Sequence, residues 1–178
     1  MQRLVAHNQP MVTLPSIIPG APVDHLFAKP VLLEYFEKTL SPADRDKLTV
    51  VSPDTGCVRV ADQWSDSLGA PLAIIHKRRD PNVANQVTVN EIVGDVSGRV
   101  CLLVDDMIDT GGTIVKAAQA LKANGAERVI VAATHAIFSD PASTRLQDDA
   151  IDEVVVTDTV PIPDEKRFAG LTILPIAP

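Results

Sequence analysis

Val100-Cys101-Leu102-Leu103-Val104-Asp105-Asp106-Met107-Ile108-Asp109-Thr110-Gly111-Gly112-Thr113 leads from an unbroken apolar run into paired carboxylates and then into a turn of small residues. The run Val100 to Val104 predicts a strand buried on both faces of a parallel sheet. The carboxyl end of such a strand is where an open α/β sheet binds its ligands. Apolar residues then recur at helical spacing from about Thr113 to Asn124, so the turn opens a helix. Thr110, Gly111, Gly112 and Thr113 present backbone N–H groups and two hydroxyls with little side-chain obstruction. Unpaired amides at the positive end of a helix dipole make that turn an anion cradle suited to phosphate.

Outward from this stretch, apolar runs end repeatedly in turn signals, at Leu48 to Val51, Leu72 to Ile75, Val129 to Ala133 and Val154 to Val156. Helical patterns lie between them, at about Val58 to Leu68 and Pro141 to Asp148, with a further helix expected from Val23 to Thr39. Alternating strands and helices predict an α/β fold, a mostly parallel sheet with helices on both faces. Pro10, Pro15, Pro19 and Pro22 interrupt any periodicity at the start, so residues 1–21 are expected to be irregular or extended and residues 22–178 to form one domain.

Asp105 and Asp106 would repel a phosphate. Their chemistry suits the hydroxyls of a sugar, directly or with help from Mg²⁺, a hard cation that takes oxygen ligands. With Asp109 beside them, the stretch reads as a site for a phosphorylated sugar: acids for the hydroxyls, amides for the phosphate. Two other strand-to-loop junctions belong with it. Ser52-Pro53-Asp54-Thr55-Gly56 follows Leu48 to Val51; its amides could hold a second anion, and Asp54 is either a turn residue or N-cap, or a ligand to Mg²⁺. His76-Lys77-Arg78-Arg79 follows Leu72 to Ile75 and enters Asp80 to Asn90, a Pro- and Asn-rich stretch expected to be a mobile active-site lid. Lys and a forked Arg are the cations that phosphoryl transfer uses to follow developing charge.

The chain of 178 residues with 46% hydrophobic content is long enough for one full-sized core. No segment approaches the roughly 18 apolar residues of a membrane span, and no signal-peptide order is present at the N-terminus. Cys57 and Cys101 form neither a metal spacing nor a disulfide framework, which fits a cytoplasmic protein. A net charge of −7 argues against nucleic acid as a partner, which a basic face would have to attract.

The three loops together resemble the ribose 5-phosphate and phosphoribosyl-pyrophosphate (PRPP) machinery of the type I phosphoribosyltransferase fold, and DDMIDTGGT resembles ribose-phosphate diphosphokinase, the PRPP synthetase family. The likeness runs from Pro22-Val23-Asp24-His25-Leu26 through Thr134-His135, Phe138-Ser139-Asp140-Pro141 and Val156-Thr157-Asp158-Thr159-Val160-Pro161, matching the C-terminal half of the family pattern. It implies transfer of the diphosphoryl group of ATP to ribose 5-phosphate, giving PRPP and AMP. By the resemblance, Lys77 and Arg79 take catalytic and sugar-phosphate roles. Asp105, Asp106, Asp109, Thr110, Gly111, Gly112 and Thr113 bind ribose 5-phosphate. Ser52, Asp54, Thr55 and Gly56 form the pyrophosphate loop, with Asp54 on Mg²⁺. Cys57 stands where the family usually has a second glycine. The family's ATP-binding half has no counterpart in this chain, and its metal-binding His has only His7 as a candidate; His135 is expected to be structural. Homo-oligomers, or association with full-length family subunits, are implied as well. Two other functions fit parts of the pattern: a non-catalytic regulatory subunit that binds ribose 5-phosphate, and a salvage phosphoribosyltransferase, which would need a nucleobase hood. A phosphorylation receiver domain would place its acids on an early strand.

Overall fold

The computed structural model describes residues 4–7, 23–79 and 88–177. Strands β1 (Leu4–His7) and β2 (Val23–Leu26) pair in parallel as a small separate sheet. Helices α1 (Lys29–Thr39) and α2 (Pro42–Asp46) follow, then β3 (Leu48–Ser52), α3 (Val58–Leu68), β4 (Leu72–Arg79) and β5 (Thr88–Val93). The chain continues with β6 (Val100–Ile108), α4 (Gly112–Ala123), β7 (Arg128–Ala136), the short α5 (Ala142–Arg145), β8 (Glu153–Thr157), a 3₁₀ turn (Asp164–Lys166) and β9 (Leu171–Leu174). The main sheet has seven strands in the order β5-β4-β3-β6-β7-β8-β9, and every pairing is parallel except β4 with β5. The expected α/β architecture with a mostly parallel sheet is therefore what forms.

Strand side chains alternate between two cores, as the period of two requires. Leu48, Val50, Val100, Leu102, Val104, Ile130, Ala132 and Val155 pack on one face under α1 and α3, with Leu32, Phe36, Ala61 and Trp64 as the helical contribution. Val51, Cys101, Leu103, Val129, Val131, Ala133, Val154 and Val156 pack on the other face against Ile114, Ala117, Ala118 and Leu121 of α4. Both faces of β6 are thus buried, which is why its sequence is apolar without alternation.

Several expected boundaries move, among them the ends of the strands expected at Val100 to Val104 and Val129 to Ala133, which run on to Ile108 and Ala136. The helix expected from Val23 begins at Lys29, and Val23–Leu26 is strand β2. Pro30 explains the shift: inside a longer helix its ring would clash with the carbonyl of Leu26, whereas in the first turn its missing N–H costs nothing. The helix expected over Pro141 to Asp148 shrinks to Ala142–Arg145, because the Asp148 carboxylate bonds the backbone N–H of Ala150 at 3.0 Å and diverts the chain into a turn. The strand expected to end at Ile75 runs on to Arg79 and pairs antiparallel with β5, so Thr88–Asn90, expected within the lid, are strand. The rest of that expected lid, residues 80–87, lies outside the described residues, as do Pro10, Pro15, Pro19 and Pro22. Within residues 1–21, Leu4–His7 form an extended strand. No helix among the described residues is long and apolar enough to cross a membrane.

Candidate active site at the sheet switch point

From β3 the chain crosses to β4 on one side, and β6 then enters on the other side of β3. Reversal of strand order opens a crevice at the carboxyl ends of the two strands. The loop after β3 and the loop after β6, about 50 residues apart in sequence, meet there and line one cleft of about 300 Å³ with Asp54, Cys57, Asp105, Asp106, Asp109 and the turn 110–113.

Strand β6 continues past its apolar run through Asp105–Ile108, held by the pairing of Met107 with His135 and Ile108 with Ala136 on β7. Both carboxylates consequently sit on rigid strand rather than on the loop beyond it, and both are half-buried. Asp105 Oδ1 accepts the N–H of Asp106 at 2.8 Å and faces Cys57 Sγ at 3.4 Å, which donates to it across the crevice. Burial first, then a side-chain hydrogen bond with Asp106 that favours the protonated form, raise the Asp105 carboxyl from 3.8 to about 6. Asp105 thus keeps its charge at neutral pH only against its surroundings, a condition that hydroxyl donors from a sugar would relieve.

The turn follows. Gly111 has φ of +72° as the residue before α4, a left-handed conformation in which a side chain is strained. A Cβ there would stand 3.4 Å from Leu146 Cγ. At Gly112, by contrast, a Cβ would stand in ordinary contact with Arg145 Nη1 at 3.6 Å and Thr110 Oγ1 at 3.9 Å. The turn therefore needs glycine at 111 for its backbone, whereas at 112 a Cβ would be accommodated between Arg145 and Thr110 at the helix N-terminus. Thr110 and Thr113 are exposed at its rim.

In the β3 loop, buried Ser52 donates through Oγ to the carbonyl of Asp54 at 2.7 Å and locks the turn. Asp54 Oδ1 accepts from the N–H groups of Gly56 at 2.8 Å and Cys57 at 3.1 Å. Those two amides, expected to face an anion, are turned onto the Asp54 carboxylate. Oδ2 makes no hydrogen bond among the described residues. Thr55 is exposed at the loop tip. Burial, reinforced by the negative charges of Asp105 and Asp54, pushes the Cys57 thiol well above its usual range, so it acts as a neutral donor. The contact of Cys57 with Asp105 went unanticipated in the sequence; its only signal was a cysteine in a loop otherwise built for small residues.

Lys77 and Arg79 lie on β4, with backbone registers to Asn90 and Thr88 of β5; their side chains fall outside what the structure describes. His135 has Nδ1 2.9 Å from Thr159 Oγ1, which in turn donates to the Thr134 carbonyl at 3.1 Å, a structural network. His7 belongs to the separate two-stranded sheet. Among the described residues no group of three His, Cys, Asp or Glu side chains is arranged to hold a metal by itself.

A seven-stranded sheet of this order, with an acidic strand end and a small-residue turn at its switch point, defines a domain of the phosphoribosyltransferase type. The chain belongs to the family of the Phosphoribosyl synthetase-associated domain, which matches residues 81–171. It is 63% identical over 157 residues to a ribose-phosphate pyrophosphokinase of Streptomyces avermitilis, covering 88% of this chain and 48% of that protein. It is 52% identical over 158 residues to one of Mycobacterium bovis, again covering 88% of this chain and 48% of that protein. The crystal structure of phosphoribosylpyrophosphate synthetase from Mycobacterium smegmatis superposes with a TM-score of 0.85 at 46% identity, over 99% of this chain and 55% of that one. The chain spans about half the length of the curated relatives it matches.

Proposed function

We propose that this chain carries the sugar-phosphate side of a ribose-phosphate diphosphokinase, which moves the diphosphoryl group of ATP onto O1 of ribose 5-phosphate and releases AMP. The observation that supports it most directly is the single cleft in which Asp105 and Asp106 stand beside the open turn 110–113, with Asp54 across the crevice. The acids accept hydrogen bonds from ribose hydroxyls, and the turn's amides with Thr110 and Thr113 receive the 5-phosphate. Residues 22–178 form the catalytic domain in this reading.

Asp54 suits Mg²⁺ in one respect: one carboxylate oxygen is fixed by two amides and the other is left to a ligand, and this ion uses few carboxylates and keeps waters or phosphates for its remaining positions. When bound, Mg²⁺ would neutralise the charge of a diphosphate. Lys77 and Arg79, on the arm beside the crevice, bring cations to the group in transfer. The site works as a self-associated protein in solution, an expectation that light scattering at micromolar concentration checks.

The decisive assay mixes the chain with ATP and ribose 5-phosphate and measures AMP. Release that requires both substrates supports the enzyme. Binding of ribose 5-phosphate with no AMP release would overturn it in favour of a regulatory subunit.

A further inference from the structure

The cleft poses an electrostatic problem. Four carboxylates line it, those of Asp54, Asp105, Asp106 and Asp109, and among the described residues no Lys or Arg lines it. A sugar phosphate entering there meets like charge at one end. Arg145 stands at the edge of the turn that would take the phosphate. It is the last residue of α5, is exposed, and donates from Nη1 to the carbonyl of Thr110 at 3.2 Å. The segment bearing it is seated firmly: Leu146 and Ala142 are both buried, and they lie 3.4 Å and 3.7 Å from where a Cβ on Gly111 would be. Among the described residues Arg145 has no carboxylate partner, so a single hydrogen bond uses one of the five donors of its guanidinium.

Geometry supplies a second indication. A Cβ built on Gly112 would touch Arg145 Nη1 at 3.6 Å and Thr110 Oγ1 at 3.9 Å, so a cationic donor and a hydroxyl stand side by side against the backbone of the turn. We propose that Arg145 contacts the 5-phosphate and sets the preference of the site for the phosphorylated over the free sugar. This inference rests on the reading of the turn 110–113 as the phosphate seat. The bond to Thr110 holds the guanidinium in place, and its remaining N–H groups reach the phosphate oxygens. A planar guanidinium fork adds a cation to an otherwise acidic rim, in the geometry that suits phosphate oxygens.

Calorimetry on the 178-residue chain tests it, with ribose 5-phosphate and free ribose titrated into wild type, Arg145→Gln and Arg145→Lys at two salt concentrations. Loss of a hydrogen-bonded cation from a phosphate predicts a fall of roughly tenfold to a hundredfold in ribose 5-phosphate affinity for Arg145→Gln, no change for ribose, and a shallower salt dependence. Arg145→Lys should recover part of the loss. Two results overturn the inference: Arg145→Gln binding ribose 5-phosphate as wild type does, or losing affinity for ribose and ribose 5-phosphate by the same factor, which would mean the residue only props the turn. If wild type itself shows no preference for ribose 5-phosphate over ribose, the phosphate-seat reading fails, whatever Arg145 does.

Discussion

Asp105→Asn should make this protein more stable while removing its grip on ribose. In the folded chain the Asp105 carboxyl sits near 6 instead of 3.8, so the native state holds that proton more tightly than the unfolded state does. Stability from this group is therefore highest below about pH 4, declines as pH rises toward 6, and stays at its reduced level above. At about 1.4 kcal/mol per unit, the penalty at pH 7 is roughly 2–3 kcal/mol. Asparagine escapes it without losing the local bonds. Its Oδ1 can still accept from Asp106 N–H and Cys57 Sγ, now at 2.8 and 3.4 Å, and its amide can donate to the Asp106 carboxylate. For a domain of this size the gain corresponds to a Tm about 5–10 °C higher at pH 7. Scanning calorimetry of both proteins between pH 4 and 8, with chelator present, measures it. A variant no more stable than wild type at pH 7, or a gain that persists undiminished at pH 4, would refute the reasoning. The same variant should bind ribose 5-phosphate weakly while still binding inorganic phosphate, the expected exchange of stability against function.

Other substitutions separate the parts of the site. In protein shown to turn over, Lys77→Ala should lower kcat by roughly 10² to 10⁴ with substrate Kd changed only a few-fold, and Arg79→Lys should also be damaging; a variant with wild-type kcat and a raised KM would reduce the β4 arm to a docking surface. Gly111→Ala should cost about 1–2 kcal/mol in a denaturant melt, because φ of +72° is hostile to a Cβ, whereas Gly112→Val should leave the melt nearly unchanged and abolish phosphate binding in calorimetry. Cys57 should react with iodoacetamide at pH 8 many-fold more slowly in the folded chain than in denaturant, and Asp105→Asn should speed it, since one of the charges that suppress the thiolate is gone; equal rates in wild type and variant, measured by mass spectrometry, would contradict that.

Much of this was legible because single residues constrained it. The unbroken run Val100–Val104 required burial on both sides, and a strand buried on both sides requires helices on both faces of its sheet. Gly111 marked the turn into α4, and its left-handed backbone is the reason a glycine stands there. What escaped was decided by contacts distant in sequence. The extension of β4 to Arg79 depends on a partner, β5, whose Thr-Val-Asn-Glu-Ile-Val carries mixed polarity and shows no strand signal of its own weight. Strand β9 at Leu171–Leu174 is half-buried at the sheet edge, and four residues are too few for a periodic signal. Pro30 was visible, and its position should have set the start of α1. In the site, the residue types at the carboxyl ends of β3 and β6 were evident, but neither the bond from Cys57 to Asp105 nor the arrival of Arg145 at the turn could be read, since each joins segments 35 or more residues apart.

The placement of the crevice between β3 and β6 also bears on how such a site can change. The loop proposed to seat the sugar hangs from one buried strand and the loop proposed to hold the diphosphate from its neighbour, each fixed by its own core contacts, and Lys77 and Arg79 lie on a third. Among the described residues, a single thiol-to-carboxylate contact is the side-chain bond linking the first two loops. Insertions or replacements in the β3 loop or the β4 arm can therefore accumulate without dislodging the part proposed to recognise the sugar. For an engineer who accepts the proposed function, the loop after β6 is the piece to keep, and the chemistry performed beside it is the piece open to exchange.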